Sequence, residues 1–350
     1  MSPTPLPPEQ HTPAAWYGPE MAARSDWIVS LTLADLDEIH RALQTWKARP
    51  NAGPAPLAPT DFPLPSLGPR LLSVRRELID GRGFVLLKGM PVFDWSREDC
   101  AMAFIGLGAH LGRARSQNAA GHLLGHVRDV GLASTDPNVR IYQTPERQTF
   151  HTDSCDVVGL LCLREAKAGG DSLLVSSTTL FNEMRRRRPD LAELLFEPVA
   201  TDRRGEVPVG MKPWFEIPVL NWHEGFLTAL YQRQYVDSAQ RFEQAPRLTP
   251  QQIEALDLFD SLANDPAMHL TMRLAPGDMQ FVHNHTMLHD RTGFEDWPDA
   301  DRRRHLLRLW LAVPGARPLP EVFRQRYGSI EIGDRGGIVV PGTVPSVTLA

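Results

Sequence analysis

Two residues in the stretch QTFHTDSC, His151 and Asp153, could do chemistry together. On a strand, positions two apart share a face, so an imidazole and a carboxylate would project side by side as metal ligands do. In a chain with 12 histidines one such pair is also what chance supplies. The pair gains weight from LAPGDMQFVHNHTMLHDRTGFED, where His283, His285 and His289 sit at the end of an apolar run and in the loop after it. Polar rings in such a place need partners. Two histidines and one carboxylate, leaving positions open, suit a non-haem iron(II) centre that handles dioxygen. The same ligands fit a catalytic zinc, and spacing alone leaves open which of the three histidines completes the set.

A second chemical feature lies in DRRRHLLRLWLAV, where Arg304 and Arg308 border and enter a strongly apolar run. A guanidinium held among apolar groups is costly unless it meets an anion, and its planar fork matches a carboxylate. A dicarboxylate co-substrate would satisfy one or both. The alternative is ordinary pairing with surface Asp or Glu.

The elements that must position these residues follow from periodicity. Helical patterns span 32–46 and about 69–80, joined by a proline-rich stretch at 49–70 that reads as a long surface connection. GFVLLKG at 83–89 suits a buried strand, and Ser96 is placed to cap a helix after it. From about residue 140 the texture becomes short apolar runs: VRIYQT, VVGLLCL, DSLLVSS, WFEIPVLN, HLTMRL, DMQFVHN and HLLRLWLAV, with helices only at about 178–196 and 249–264. Many short strands with Gly and Pro turns predict a barrel or sandwich. Residues 1–15 form a proline-rich arm, disordered or draped over the body, and 16–350 reads as one large domain.

Composition narrows the function. The formal charge is −5, and the short runs MRRRRPDL and DRRR read as a solvated helix end and a loop, so nucleic acid is not an expected partner. No run of about 18 apolar residues appears, which argues against a membrane span. Cys100, Cys155 and Cys162 lack CxxC spacing and point to a reducing cytoplasm rather than to disulfides or structural zinc. A small-molecule enzyme is the class that remains, with assembly into a homo-oligomer left open.

Taken in order, these residues resemble the taurine dioxygenase and clavaminate synthase-like superfamily of iron(II)- and 2-oxoglutarate-dependent oxygenases, over about residues 80–315. The family pattern is H-x-D/E, a distal His preceded five residues earlier by Asn, and an Arg-x-x-x-Arg pair. Here it looks like His151 and Asp153, Asn284 and His289, and Arg304 and Arg308. A family GGDT turn, whose Thr helps bind 2-oxoglutarate, is similar to Gly169-Gly170-Asp171-Ser172, with the hydroxyl kept and the methyl lost. The resemblance selects His289 as ligand and leaves His283 and His285 beside the pocket, with Asn284 and His285 behind the metal.

The resemblance implies a mainly β fold with flanking helices, a double-stranded β-helix (jelly-roll, cupin-like) core. It also implies Fe(II), 2-oxoglutarate and O2, with Arg304 clamping the co-substrate's far carboxylate and Arg308 near its other end or an anionic substrate group. The usual outcome is hydroxylation with release of succinate and CO2; desaturation, cyclisation and epimerisation use the same ligands. Related halogenases leave the carboxylate position empty, whereas Asp153 fills it. Gln117, His122, Tyr142 and Arg147, just upstream of the first ligands, are candidates for the substrate pocket. The alternatives are a non-catalytic barrel that keeps a metal or small ligand, and a zinc-dependent hydrolase.

Overall fold

Period-two alternation sorts the apolar runs between two cores. In Phe84–Lys88, Phe84 and Leu86 face one core while Val85 and Leu87 face another; in His305–Ala312, Leu306 and Trp310 face the first, and Leu307, Leu309 and Leu311 the second. The computed structural model describes residues 6–49, 53, 55, 57–132, 139–340 and 342–349.

The larger sheet runs in the order Ile28–Ser30, Phe84–Lys88, Met279–His283, Val157–Arg164, His305–Ala312, Arg113–Arg115, and Leu124–Val127 also pairs with His305–Ala312. Its pairings are antiparallel except for the first. The smaller sheet runs His269–Met272, Ser172–Ser176, Met287–Arg291, Gln148–His151, all antiparallel. Phe84, Val158, Leu174, Leu270, Val282 and Met287 fill the space between the sheets. Helices Leu33–Lys47, Leu67–Ile79 and Arg97–Leu111 cover the outer face of the larger sheet, and Ser177–Arg187, Pro189–Leu194 and Pro250–Asn264 that of the smaller. This is a double-stranded β-helix with helices outside.

Local chemistry sets the boundaries. Thr32 and Asp35 form a capping box that starts Leu33–Lys47, Thr249 and Gln252 another that starts Pro250–Asn264, and Ser96 accepts from the Asp99 N–H. The single helix expected at 178–196 is two, because Pro189 pushes Arg188 out of helical geometry (φ −146°) and restarts the helix. VRIYQT is not a strand: Ile141–Gln143 is a 3-10 turn.

Two connections differ from a simple surface path. Of 49–70, residues 50–52, 54 and 56 lie outside the described residues, but Phe62 is fully buried; a Cβ on Gly106 would sit 2.4 Å from its ring, so only glycine lets that helix approach. At the N-terminus residues 1–5 lie outside the described residues. Residues 6–15 are draped on the body: the Asn182 amide both donates to and accepts from the Gln10 backbone, and Ser176 Oγ donates to the Ala14 carbonyl. Two hairpins, Pro198–Asp202 with Trp214–Pro218 and Leu220–His223 with Phe226–Ala229, stand beside the sheets. The first contributes to a cleft next to the Gln148–His151 strand end.

Candidate active site

His151 is the last residue of its strand and lies directly across from His289 in Met287–Arg291. Their ring centroids are 4.1 Å apart. Asp153 does not share a strand face with His151 as expected, because the strand ends at His151 and Asp153 lies beyond it. Three other groups aim it. Asn284 Oδ1 accepts from the Asp153 N–H at 2.9 Å, Trp310 Nε1 donates to Asp153 Oδ2 at 2.9 Å, and Arg308 Nη1 lies 3.4 Å from both carboxylate oxygens. One donor atom each from His151, Asp153 and His289 lies within 4.8 Å of the others, all three residues buried. Among the described residues they are the one His/Cys/Asp/Glu group arranged this way.

The proton arrangement favours a metal. His151 Nδ1 faces the Thr149 carbonyl at 2.8 Å, which can only accept, so Nδ1 carries the proton and the Nε2 lone pair is the donor, held in this structure by the Gln148 amide at 2.9 Å, which a metal would displace. Burial lowers the pKa of both rings, that of His289 to about 3 with the neighbouring ring adding to the effect. Burial pushes the Asp153 pKa up, but Arg308, His289 and His151 outweigh it and hold the carboxyl below its usual range. Two neutral imidazoles and a carboxylate, with His289 Nε2 3.8 Å from Asp153 Oδ2, are the donor set a divalent iron would take.

The other histidines of the cluster turn away. His283 Nδ1 is 2.9 Å from Thr286 Oγ1, and His285 Nε2 is 2.9 Å from Asp156 Oδ1, which also takes Arg335 Nε at 2.8 Å. Asp156 in turn accepts the Asn284 N–H through its carbonyl. His285 thus buttresses the residue that orients the Asp153 loop. Asn284 also reaches Cys155 Sγ with its amide.

One cleft opens on the two ligand histidines and is walled by Ser172, Arg291, Arg304 and Arg308 with apolar Val127, Leu160, Leu274 and Leu306. Arg304 is 5% exposed, forms no ion pair among the described residues and has a buried Nη1 without a hydrogen-bond partner. Burial lowers its pKa to about 10. Gly170 lies against it: a Cβ there would meet Arg304 Nε at 3.0 Å, and φ is +75°. The Gly-Gly turn therefore makes room for the guanidinium as well as reversing the chain. Ser172 Oγ donates to Gln280 Oε1 at 3.0 Å.

A second cleft meets the first at Tyr142, Gln148 and Arg308 and reaches Asp153, Ser154 and Trp310. Tyr142 faces Arg308, whose guanidinium carbon lies 4.6 Å from its ring centroid. Gln117, His122 and Arg147 are not among the lining residues of either cleft. Gln117 accepts from Arg308 Nε at 2.8 Å and donates to the Arg308 carbonyl, so it fixes that arginine from behind. His122 bridges to Ser346 and lies against Asn118. Arg147 is drawn off by Asp290 and Asn264.

Several lining residues escaped the sequence reading, though a signal existed. Arg304, Leu306, Arg308 and Trp310 alternate along one strand face, and Arg291 stands two residues after His289, directly opposite Ser172. Period two applied to each ligand strand would have found both Trp310 and Arg291.

A jelly-roll core that brings two histidines and a carboxylate together beside a buried arginine defines a non-haem iron(II)- and 2-oxoglutarate-dependent oxygenase. The chain belongs to the family described as "Taurine catabolism dioxygenase TauD, TfdA family", whose profile matches residues 47–310. It is 34% identical over 276 residues to the FR-33289 synthase of Streptomyces rubellomurinus, covering 76% of this chain and 80% of that one. It is 34% identical over 185 residues to a uridine-5'-phosphate dioxygenase of an Amycolatopsis species, covering 50% and 65%. Its fold matches that of asparagine oxygenase in complex with Fe(II), 2S,3S-3-hydroxyasparagine and succinate, with a TM-score of 0.62 at 18% identity over 81% of this chain and 93% of that one. The protein is a dioxygenase that uses iron(II), 2-oxoglutarate and O2 on a small-molecule substrate. Membership of this family removes the non-catalytic barrel and the zinc hydrolase as readings. No helix among the described residues is long and apolar enough to cross a membrane.

Proposed function

We propose that His151, Asp153 and His289 hold the iron, that Arg304 and Ser172 secure 2-oxoglutarate, and that the substrate enters by the cleft on the Asp153 side, with Arg308 between the two. The observation that carries this reading is the convergence of the three donor atoms in one buried group, with the unpartnered Arg304 Nη1 beside the cleft that the two histidines line. Bound iron supplies dioxygen activation coupled to decarboxylation of 2-oxoglutarate to succinate and CO2, and the substrate C–H bond is hydroxylated.

The chain's own contribution is positioning and exclusion of water. The Thr149 carbonyl fixes the His151 tautomer, and Asn284 and Trp310 fix the Asp153 carboxylate. Arg304, which forms no ion pair among the described residues, takes the far carboxylate of 2-oxoglutarate in a two-pronged pair. Leu160, Leu274 and Leu306 keep that end dry, which strengthens each of these contacts. Residues 16–350 act as one oxygenase unit. A reducing cytoplasm suits its three buried, unpaired cysteines.

The test is succinate formation by the chain reconstituted with iron(II). Succinate that requires iron(II), O2 and His289 together supports the assignment. Iron-dependent succinate that survives removal of His289 refutes it.

A further inference from the structure

The second cleft carries more positive charge than the iron chemistry uses. Arg140, Arg203, Arg204, Arg308 and Arg326 line it against only Asp153 and Asp202. Both acids are committed: Asp153 is the metal carboxylate in the reading above, and Asp202 takes Arg241 Nη2 at 3.1 Å and the Ser238 hydroxyl. Arg140 is balanced by Glu206. Arg203 and Arg326 remain without an ion-pair partner among the described residues.

Arg203 is only 4% exposed. Its Nε donates to the Lys212 carbonyl at 3.1 Å and its Nη2 to the Gln325 carbonyl, which anchors the fork without neutralising it. Its Nη1 has no hydrogen-bond partner among the described residues. Arg326 spends one donor, Nε, on Ser154 Oγ at 2.8 Å, and Ser154 follows Asp153 directly in the chain. Glu206, the one carboxylate that acts on Arg326, is already paired with Arg140, and burial and then the Arg326 charge lower the Arg203 pKa to about 10, so the two guanidinia oppose each other. Such a pair is retained at a cost unless something negative settles between them.

We propose that this end of the cleft holds a phosphoryl dianion of the substrate, a phosphonate or a phosphate monoester, between Arg203 and Arg326, so that a neighbouring C–H bond is presented on the Asp153 side. The proposal rests on the iron-site reading above for where the C–H bond must lie. Two guanidinia from separate chain segments and the Ser154 hydroxyl offer donors from several directions. A planar carboxylate fills one fork and brings one negative charge. A tetrahedral group with three terminal oxygens and close to two charges answers both arginines.

The test is isothermal titration of the full chain loaded anaerobically with iron(II) and saturating 2-oxoglutarate, so that Arg304 is occupied. Propylphosphonate, propyl phosphate and butyrate are the probes. At least one phosphoryl probe is expected to bind at least about tenfold more tightly than butyrate, the tighter of the two identifying phosphonate or ester as the source. Arg203→Gln and Arg326→Gln are each expected to weaken it by about tenfold or more while 2-oxoglutarate affinity changes by less than about twofold. Butyrate binding as tightly as both phosphoryl probes, or folded variants that bind them unchanged, overturns the proposal. Should either variant fail to fold, seen as loss of 2-oxoglutarate binding, the comparison of probes on the unaltered chain still decides. A chain that binds propylphosphonate but not 2-oxoglutarate would sink the reading of Arg304 and the triad and leave this one standing.

Discussion

His151 and His289 are cross-strand partners whose ring centroids lie 4.1 Å apart, and neither ring is positioned to donate a proton to the other. Burial keeps both neutral, so the pair is held ready for a cation rather than for each other. His289→Ala is expected to lower iron-dependent succinate formation by more than about 100-fold and to remove the rise in unfolding midpoint that iron(II) gives the unaltered chain. His285→Ala, by contrast, should lose stability by about 1–3 kcal/mol, because Asp156 loses a buried donor, yet keep iron-dependent stabilisation. Thermal unfolding with and without iron(II) separates the two; the reverse pattern would make His285 the ligand.

Arg304 forms no ion pair among the described residues, and the Asp296 carboxylate beside it is taken up by the Arg304 backbone N–H, so the guanidinium is left for 2-oxoglutarate. Arg304→Gln should raise the KM for 2-oxoglutarate by about 30-fold or more, the scale of a buried charge-assisted pair. Steady-state succinate release over a range of 2-oxoglutarate checks it. An unchanged KM would place the far carboxylate elsewhere, with Arg291 the next candidate since it lines the same cleft.

Trp310 reaches the metal site through a single hydrogen bond, Nε1 to Asp153 Oδ2. Trp310→Phe keeps most of the ring beside Arg308 and removes only that donor. Iron(II) affinity is expected to fall about tenfold, the usual cost of losing a partner that orients a ligand. Direct titration of iron(II) measures it, and an unaltered affinity would mean that Arg308 and Asn284 hold the carboxylate without help.

What could be read from residue order was whatever depends on local chemistry repeated in the right sequence. Ser96 marked one helix start, periodicity placed the helices at 32–46 and 249–264, and the apolar run HLLRLWLAV marked the strand that carries Arg308, whereas His289, expected in the loop after an apolar run, lies in a strand of its own, Met287–Arg291. The reason Asp153 points at the metal was not readable, because it depends on Asn284 and Trp310, which reach it only once three strands have paired. Gln117 was singled out for the substrate and instead braces Arg308, since loop proximity in sequence says nothing of which way an amide points. The arginines of the second cleft were invisible for the same reason: Arg203 and Arg326 belong to chain segments that meet only in the folded molecule.

Away from the iron site, buried His305 and half-buried His126 form a pair that should make the fold sensitive to acid. His126 Nε2 lies 2.9 Å from the Thr348 carbonyl, so it carries the proton, and His126 Nδ1 accepts from His305 Nε2 at 2.8 Å. Burial first, then the neighbouring His126, lowers the His305 pKa to about 3, against about 6.5 in an unfolded chain. Between those values the unfolded state binds a proton that the folded state refuses, so stability rises with pH through the window. It is complete above about pH 6.5 and lost as pH falls, by about 2 kcal/mol at pH 5 from this one histidine. His305→Phe should therefore flatten the dependence between pH 6 and 5 by about 1 kcal/mol per pH unit. It should also cost about 1–3 kcal/mol at pH 8, where His126 Nδ1 is left without its donor. Urea unfolding of the metal-free chain at pH 8, 6 and 5 tests both expectations. Equal slopes for the two proteins would mean that His305 already takes up its proton within the fold.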